Sequence, residues 1–199
     1  MAMWKRREFA AAAAWKARGV AENKLGLPQD AWLSLSESLR LDASDADAWS
    51  SLGGVHVALG QYGEALAAFE EGLGRDPACT YSLLNTLTMA ALAGDFEAAR
   101  RRHADQIEAG LRRCEVQADA GENTPWCWYD LAQIHFLLGS TTGFLQALGQ
   151  AIQASSEWQV GSARRTYELL ADSVPLGAAA KQALADFAQL QAQGRTPGG

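Results

Sequence analysis

Cysteine is scarce in this chain of 199 residues, and the positions of the few present argue against its usual structural and chemical roles. Cys79, Cys114 and Cys127 are odd in number and show neither metal-ligand spacing nor redox spacing. Free, mostly packed thiols in a reducing compartment are the simplest interpretation. The sequence therefore predicts no metal site and a cytoplasmic location.

Long apolar segments are also missing. Near the start, the apolar run over residues 9–15 has only seven residues and is followed at once by Lys16 and Arg18. A secretory signal needs a longer apolar stretch and a cleavage site of small residues. A membrane-spanning helix needs about 20 apolar residues. We therefore expect an alanine-rich amphipathic helix here and no membrane association.

The chain has no excess of basic residues, since its formal net charge is -6. This balance disfavours nucleic acid as the main partner. The charge is unevenly placed: residues 1–24 carry six basic and two acidic side chains, whereas residues 30–76 carry two basic and nine acidic ones. With 20% charged and 48% hydrophobic residues, the composition predicts a packed core rather than disorder.

Glycine recurs with a fixed spacing of 34 residues, at Gly26, Gly60 and Gly94. Other positions keep the same period, namely Ala31, Ala65 and Ala99, and also Trp15, Trp49 and Leu83. A period of this length predicts an array of helix hairpins, in which one hairpin cannot bury its apolar face alone.

The most regular copy lies between Ala46 and Pro77. Its repeat positions are Trp49, Leu52, Gly53, His56, Gly60, Tyr62, Ala65, Phe69, Gly72 and Pro77. This series closely resembles the tetratricopeptide repeat, with Gly72 where that family usually has Ala. The resemblance implies an all-α, right-handed α-solenoid with a capping helix pair at its C-terminal end.

The repeat register divides the chain into seven segments. They are an N-terminal helix with a degenerate first repeat (1–45), repeat 2 (46–79), repeat 3 (80–113), an insertion (114–124), repeat 4 (125–155), the capping helix pair (156–193) and a tail (194–199). Pro28 is expected in the first turn of a helix, and Thr124 is expected to cap another ahead of Pro125. Phe144 replaces a small residue, which predicts that the helix pair is locally splayed or meets at a different angle.

Residues with catalytic potential are few, and the repeat explains most of them. His56 and His135 each follow a Trp by seven residues, at a position that the repeat uses for packing. His103 is expected at the surface. Phosphate loops, nucleophile elbows, paired acids and zinc spacings are missing from the sequence. We therefore predict a protein that is not an enzyme and uses no cofactor.

The resemblance implies that the first helix of each repeat lines a concave groove. Helical spacing separates a packing face at Trp128, Leu131 and His135 from a groove face. The predicted partner-binding residues are Lys16, Asn23, Ser50, Tyr81, Asn85, Trp126, Tyr129 and Gln133. Whether Trp126 and Phe136 face the groove or pack against the insertion or the cap is left open by the pattern.

The expected function is that of a protein-interaction adaptor or scaffold that binds a peptide or helix of a partner protein. The resemblance also allows a test for the clamp with which some family members hold C-terminal carboxylates. Lys16 fits that clamp, but Val20, Ser51, Tyr81 and Asn85 stand where its other donors would be. The alternatives are a self-associating assembly protein, which would be a homo-oligomer, and a regulatory subunit of a separate enzyme.

Overall fold

A computed structural model describes residues 3–171, 181–182 and 185, and these residues form helices and turns without a strand. The helices are α1 (Met3–Lys24), α2 (Pro28–Leu41), α3 (Ala46–Ala58), α4 (Tyr62–Arg75), α5 (Thr80–Leu92), α6 (Phe96–Arg102), α7 (Ala104–Ala120), α8 (Trp126–Leu137), α9 (Thr141–Gln153) and α10 (Glu157–Ala171). The chain divides into two compact units, Met1–Met89 and Ala90–Gly199, and each is described by itself. The prediction of an all-α repeat fold is confirmed.

The glycine period originates in the turn that ends the first helix of each hairpin. Four glycines there have positive φ angles near +75°, namely Gly26 (76°), Gly60 (74°), Gly94 (78°) and Gly139 (72°). In repeat 2 the N–H of Gly60 donates to Val57 O at 3.0 Å, and the N–H of Gln61 donates to His56 O at 2.8 Å. This pair of bonds is the Schellman arrangement, whose left-handed residue favours glycine because it has no Cβ.

Unit 1 is built from helix hairpins that approach closely at small residues. A Cβ on Gly53 would lie 2.7 Å from the Phe69 ring, and one on Gly19 would lie 2.7 Å from Leu35. Ala65 and Phe69 are fully buried, as predicted, while Trp49 is half-buried with the Arg75 guanidinium 5.1 Å from its ring centroid. The small residues therefore set the close packing of each hairpin.

The degenerate first repeat replaces apolar contacts with linked polar ones. Glu22, at the position where the family prefers Tyr, accepts hydrogen bonds from Ser34 Oγ at 2.6 Å and Arg18 Nε at 2.7 Å. The Ser34 bond, followed by the bond and charge of Arg18, lowers the pKa of Glu22 below its usual value although burial opposes the shift. Arg18 and Glu22, which both depart from the repeat pattern, thus compensate each other's charge. Pro28 occupies the first turn of α2, as predicted.

The second helix of repeat 3 is interrupted, which the sequence did not predict. His103 separates α6 from α7, and its side chain is 9% exposed, so the expected surface position is wrong. Its Nε2 has no hydrogen-bond partner among the described residues. Helix α7 continues to Ala120, so much of the predicted insertion (114–124) is helical. Pro125 rather than Thr124 occupies the position before α8.

In unit 2, α8 packs against α9 and α10. A Cβ on Gly143 would lie 2.5 Å from His135 Nδ1, so α8 and α9 approach closely one residue before Phe144, where the sequence predicted a splayed pair or a changed angle. The Phe144 ring lies 5.1 Å from Phe136 and 5.4 Å from Tyr167 between ring centroids. Helix α10 is the first helix of the predicted cap. The second, with the tail, falls outside the described residues except for positions 181, 182 and 185.

None of the helices in the described ranges has the length and hydropathy needed to cross a membrane.

Candidate functional site

The predicted partner-binding residues fall in both units, and each set is described within its own unit. Unit 1 contains Lys16, Asn23, Ser50, Tyr81 and Asn85, and unit 2 contains Trp126, Tyr129 and Gln133. Since the two units are described apart, a continuous groove through all eight positions stays a prediction.

Lys16 is engaged inside unit 1. Its Nζ lies 2.7 Å from Asp45 Oδ2 and 3.7 Å from Asp47 Oδ2, which ties α1 to the start of α3. Asp45 also caps α3, because its side chain accepts the Ala48 N–H at 3.0 Å. Burial alone would lower the pKa of Lys16, but the bond to Asp45 and the two carboxylate charges outweigh it and raise the pKa. Lys16 therefore has a structural partner already.

Ser50 is buried rather than exposed on a groove face, which corrects the expected accessibility of its side chain. Its Oγ lies 2.8 Å from Ala46 O and 2.5 Å from Ser82 Oγ. A Cβ on Gly72 would come within 2.8 Å of Ser50 Oγ and 3.1 Å of Ser82 Oγ. The two hydroxyls occupy the space that an Ala at position 72 would need, which accounts for the glycine found there.

Tyr81 and Asn85 lie one turn apart on α5 in the part that belongs to unit 1. Tyr81 is 52% exposed, and its ring meets Phe69 edge-on at 6.1 Å between centroids. Desolvation of its hydroxyl, with a smaller effect of Cys79, raises the pKa of Tyr81. Asn85 is half-buried and donates from Nδ2 to Tyr81 O at 2.8 Å. Asn23, also half-buried, accepts the Gly26 N–H at its carbonyl.

Trp126 and Tyr129 begin the aromatic face of α8. Trp126 is 36% exposed, and its ring centroid lies 5.9 Å from that of Tyr129. Tyr129 is 4% exposed, so its side chain is not an open groove surface as expected. The Tyr129 hydroxyl accepts from Ser155 Oγ at 2.9 Å, and its carbonyl accepts from the Tyr167 hydroxyl at 3.2 Å. Burial raises the pKa of Tyr129, and the Ser155 bond opposes that shift.

The same stack continues inward along α8. Tyr167 lies 5.5 Å from Phe136, and both rings are fully buried. Burial, and after it the neighbouring Tyr129 and Asp130, raise the pKa of Tyr167 well above its usual value. The face predicted as a groove is thus covered by α10 at Tyr129 and Phe136, while Trp126 remains at its edge. Gln133 lies half-buried two turns from Trp126.

Asp130 is the feature of α8 that the sequence prediction missed. It is the only Asp, Glu, Lys or Arg of the helix and is half-buried. Burial raises the pKa of Asp130 to about 7, with no neighbouring group opposing the shift. No hydrogen bond or ion pair joins its carboxyl group to the described parts of the chain. A lone acid in an otherwise apolar and aromatic helix was the available signal.

His135 packs at the position that the repeat predicted, and His56 is bonded to a neighbouring amide. His135 is half-buried against Gly143, and burial lowers its pKa although the Glu115 charge opposes this. His56 Nδ1 lies 2.7 Å from Gln61 Oε1. Within the described ranges, no group of three or more His, Cys, Asp or Glu side chains could hold a metal ion.

The arginines of α6 and α7 pair with carboxylates of the same helix. Arg100 lies 2.9 Å from Glu97, Arg101 lies 4.0 Å from it, and Arg112 pairs with Glu108. The Arg100 pair has i,i+3 spacing and the other two have i,i+4 spacing, and these exposed pairs give a solvated surface of mixed charge.

Known proteins share part of the sequence of this chain. The family model described as tetratricopeptide repeat matches residues 46–79. Superkiller complex protein 3 of Mus musculus is 29% identical over 126 residues, which is 63% of this chain and 7% of that protein. The Homo sapiens protein of the same name is 30% identical over 86 residues, or 43% of this chain and 6% of that one. The alignments span less than a tenth of these relatives.

Among solved structures, the fold resembles that of MamA, residues 41 to the end, from Desulfovibrio magneticus RS-1. The TM-score is 0.50 at 14% identity, over 92% of this chain and 94% of that chain. At this identity the likeness speaks for the fold. The matched segment shows that residues 46–79 form a tetratricopeptide repeat, and the turn glycines recur in the neighbouring hairpins.

Proposed function

We propose that the chain is a non-catalytic interaction scaffold that binds a peptide or helix of a partner protein against the exposed edge of α8. The observation that carries this proposal is the 36% exposure of Trp126, whose ring rests on the buried Tyr129. Gln133, two turns along the helix, supplies an amide near the same face.

The aromatic stack supports such a role because it holds the exposed ring in place. Behind Trp126, the Tyr129 hydroxyl and carbonyl are fixed by Ser155 and Tyr167. A rigid Trp adds a large contact area to an interface at low cost in conformational entropy, and such anchors commonly contribute about 2 kcal/mol or more to binding.

In unit 1 we propose Tyr81 and Asn85 as further partner contacts, with Asn23 on α1. Tyr81 is half exposed, and its hydroxyl is protonated and able to donate a hydrogen bond at neutral pH. Lys16 and Ser50 are left out of this surface, because ion pairs and buried hydrogen bonds already occupy them.

The names of the curated relatives support the proposal at a coarser level. Both are called Superkiller complex protein 3, and each shares part of its sequence with this chain. We therefore propose that this chain likewise works within a protein assembly, without proposing that it is the same assembly.

The test begins with a peptide library displayed on phage and selected against the purified chain. The tightest selected peptide is then titrated against the wild type, Trp126→Ala and a control, Tyr62→Ala. Tyr62 is 49% exposed on α4 and lies in the other unit, so its truncation also removes an exposed aromatic ring. Trp126→Ala should weaken binding by about 30-fold, following the usual 2 kcal/mol of an anchor, with Tm nearly unchanged.

The control variant should bind like the wild type. Equal affinity of Trp126→Ala and wild type for every selected peptide would place the binding surface elsewhere. Unfolding of Trp126→Ala would show that this ring is core, which also contradicts the proposal.

A further inference from the structure

The carboxyl group of Asp130 has no partner among the described residues, and Asp130 lies one helical turn from the exposed Trp126. Asp130 follows Trp126 by four residues on α8, a spacing that places the two side chains on the same helix face with Cβ atoms about 6 Å apart. The carboxyl makes no hydrogen bond or ion pair with described side chains or backbone. A half-buried acid without a partner is costly, and a ligand that pairs with it would remove that cost.

The groups around Asp130 do not relieve that cost. Among the described residues, its charge acts on Tyr167 of α10, and the hydroxyls of Tyr167 and of the adjacent Tyr129 are used in bonds to other atoms. Burial raises the pKa of Asp130 to about 7, so the carboxyl is close to half ionised at neutral pH. A cation placed against it would favour the ionised form.

We infer that Asp130 and Trp126 form a binding site for an arginine side chain of the partner protein. This inference rests on the proposed function and names the chemistry of its partner. The guanidinium would pair with the Asp130 carboxylate while its plane stacks on the exposed indole, two interactions that one arginine makes together.

A metal ion fits the site less well than arginine. Divalent cations need several oxygen ligands, and Asp130 supplies one carboxylate among aromatic rings. The charge of the chain agrees with a cationic partner, since its formal net value is -6. The polarity is opposite to that of a clamp for C-terminal carboxylates, for which the sequence lacks most donors.

The test uses the full chain at pH 8 and two small probes that differ in charge. N-acetyl-arginine-N-methylamide carries the guanidinium, and the matching citrulline compound replaces it with a neutral urea of nearly the same shape. Binding is followed by the shifts of backbone amide signals of α8 in two-dimensional NMR. The arginine probe should shift them saturably, whereas the citrulline probe should bind at least tenfold more weakly.

Two variants of equal net charge complete the design. Asp130→Asn should lose at least tenfold in affinity for the arginine probe. Asp119→Asn, which neutralises an exposed acid on α7 in the same unit, should bind the probe like the wild type. Equal binding of the two probes, or an unchanged affinity in Asp130→Asn, would overturn the inference.

The outcomes separate this inference from the function on which it rests. If the selected peptides lose affinity for Trp126→Ala but bind Asp130→Asn like the wild type, the scaffold proposal stands and the arginine site is wrong. Binding of the arginine probe at Asp130, with no selected peptide dependent on Trp126, would remove the scaffold proposal and leave the arginine site.

Discussion

Gly72 shows how one residue can depart from a repeat pattern for a local reason. Its Cα faces the Ser50 and Ser82 hydroxyls, which lie 2.5 Å apart in the interior of unit 1. Ser38 occupies the equivalent position in repeat 1, and its Oγ donates to Ala12 O at 2.8 Å. Both repeats therefore satisfy buried polar groups at a place where the family usually packs a methyl group.

Gly72→Ala should destabilise unit 1 although Ala favours helix by about 1 kcal/mol. The added Cβ would lie 2.8 Å from Ser50 Oγ, which is shorter than real Cβ contacts, and overpacking typically costs about 1–3 kcal/mol. Urea unfolding of Gly72→Ala, Ser50→Ala and the double variant measures the coupling. In the presence of Gly72→Ala, the Ser50→Ala change should recover at least about 1 kcal/mol of the free energy of unfolding. Additive effects would mean that the hydroxyl does not block position 72.

Asp130 predicts a pH dependence of stability with a definite sign. Its folded pKa of about 7 exceeds the ordinary value of 3.8, so between these values the folded state holds a proton that the unfolded state releases. The free energy of unfolding should therefore fall as pH rises through this window. The Asp130→Asn variant lacks this loss. Its free energy of unfolding minus that of the wild type should therefore increase by on the order of 2 kcal/mol between pH 5 and pH 8.

His135 acts with the opposite sign in part of the same range. Burial lowers its pKa below 6.5, which makes the folded state more stable as pH rises. The wild type and Asp130→Asn both contain His135. Its effect therefore cancels when their free energies of unfolding, measured with urea at pH 5 and pH 8, are subtracted from each other. A difference that does not change with pH would contradict the burial of Asp130.

At the scale of the element, the helix hairpin is fixed by its turn. The left-handed glycine and the two bonds around it end the first helix, and the second begins within two residues. The turn recurs at Gly139, which follows Gly94 by 45 residues rather than 34. The 11 additional residues are accommodated before α8, largely by the length of α7.

Gly60→Ala should lower the free energy of unfolding by about 1 kcal/mol, because Ala resists a φ of +74°. Gly74→Ala is the matched control within α4. That glycine has helical φ and open space around it, so Ala there should raise stability by a few tenths of a kcal/mol up to about 1. Urea unfolding of the two variants should give opposite signs. The same sign for both would show that the turn does not select glycine.

The sequence predicted the hairpins well because a turn glycine and a close-packed Ala or Gly are local signals. It failed where the outcome depends on a distant helix. The 3.6-residue period separates the Tyr129 face of α8 from the His135 face, but it does not reveal that Tyr167 of α10 covers the first. The break at His103 is also invisible locally, since its flanking residues favour helix. Asp130 could have been noticed as the lone acid of α8.

At the scale of the whole molecule, the described residues form helix hairpins whose interior contains small residues, aromatic rings and hydrogen-bonded hydroxyls. Several exposed charges pair within one helix or with a neighbouring helix. Such pairs contribute little stability each but keep the surface solvated. Against this background, the edge of α8 combines an exposed indole with a carboxyl that has no partner in the described residues.

The central claim is that a partner segment binds at this edge of α8. The most direct measurement is the map of backbone amide shifts in the 15N-labelled chain as the tightest selected peptide is added. The account predicts that the largest shifts lie around Trp126, Asp130 and Gln133, and that they vanish at the same peptide concentration in Trp126→Ala. Largest shifts on the solvent side of α9 or α7, unchanged in Trp126→Ala, would contradict it.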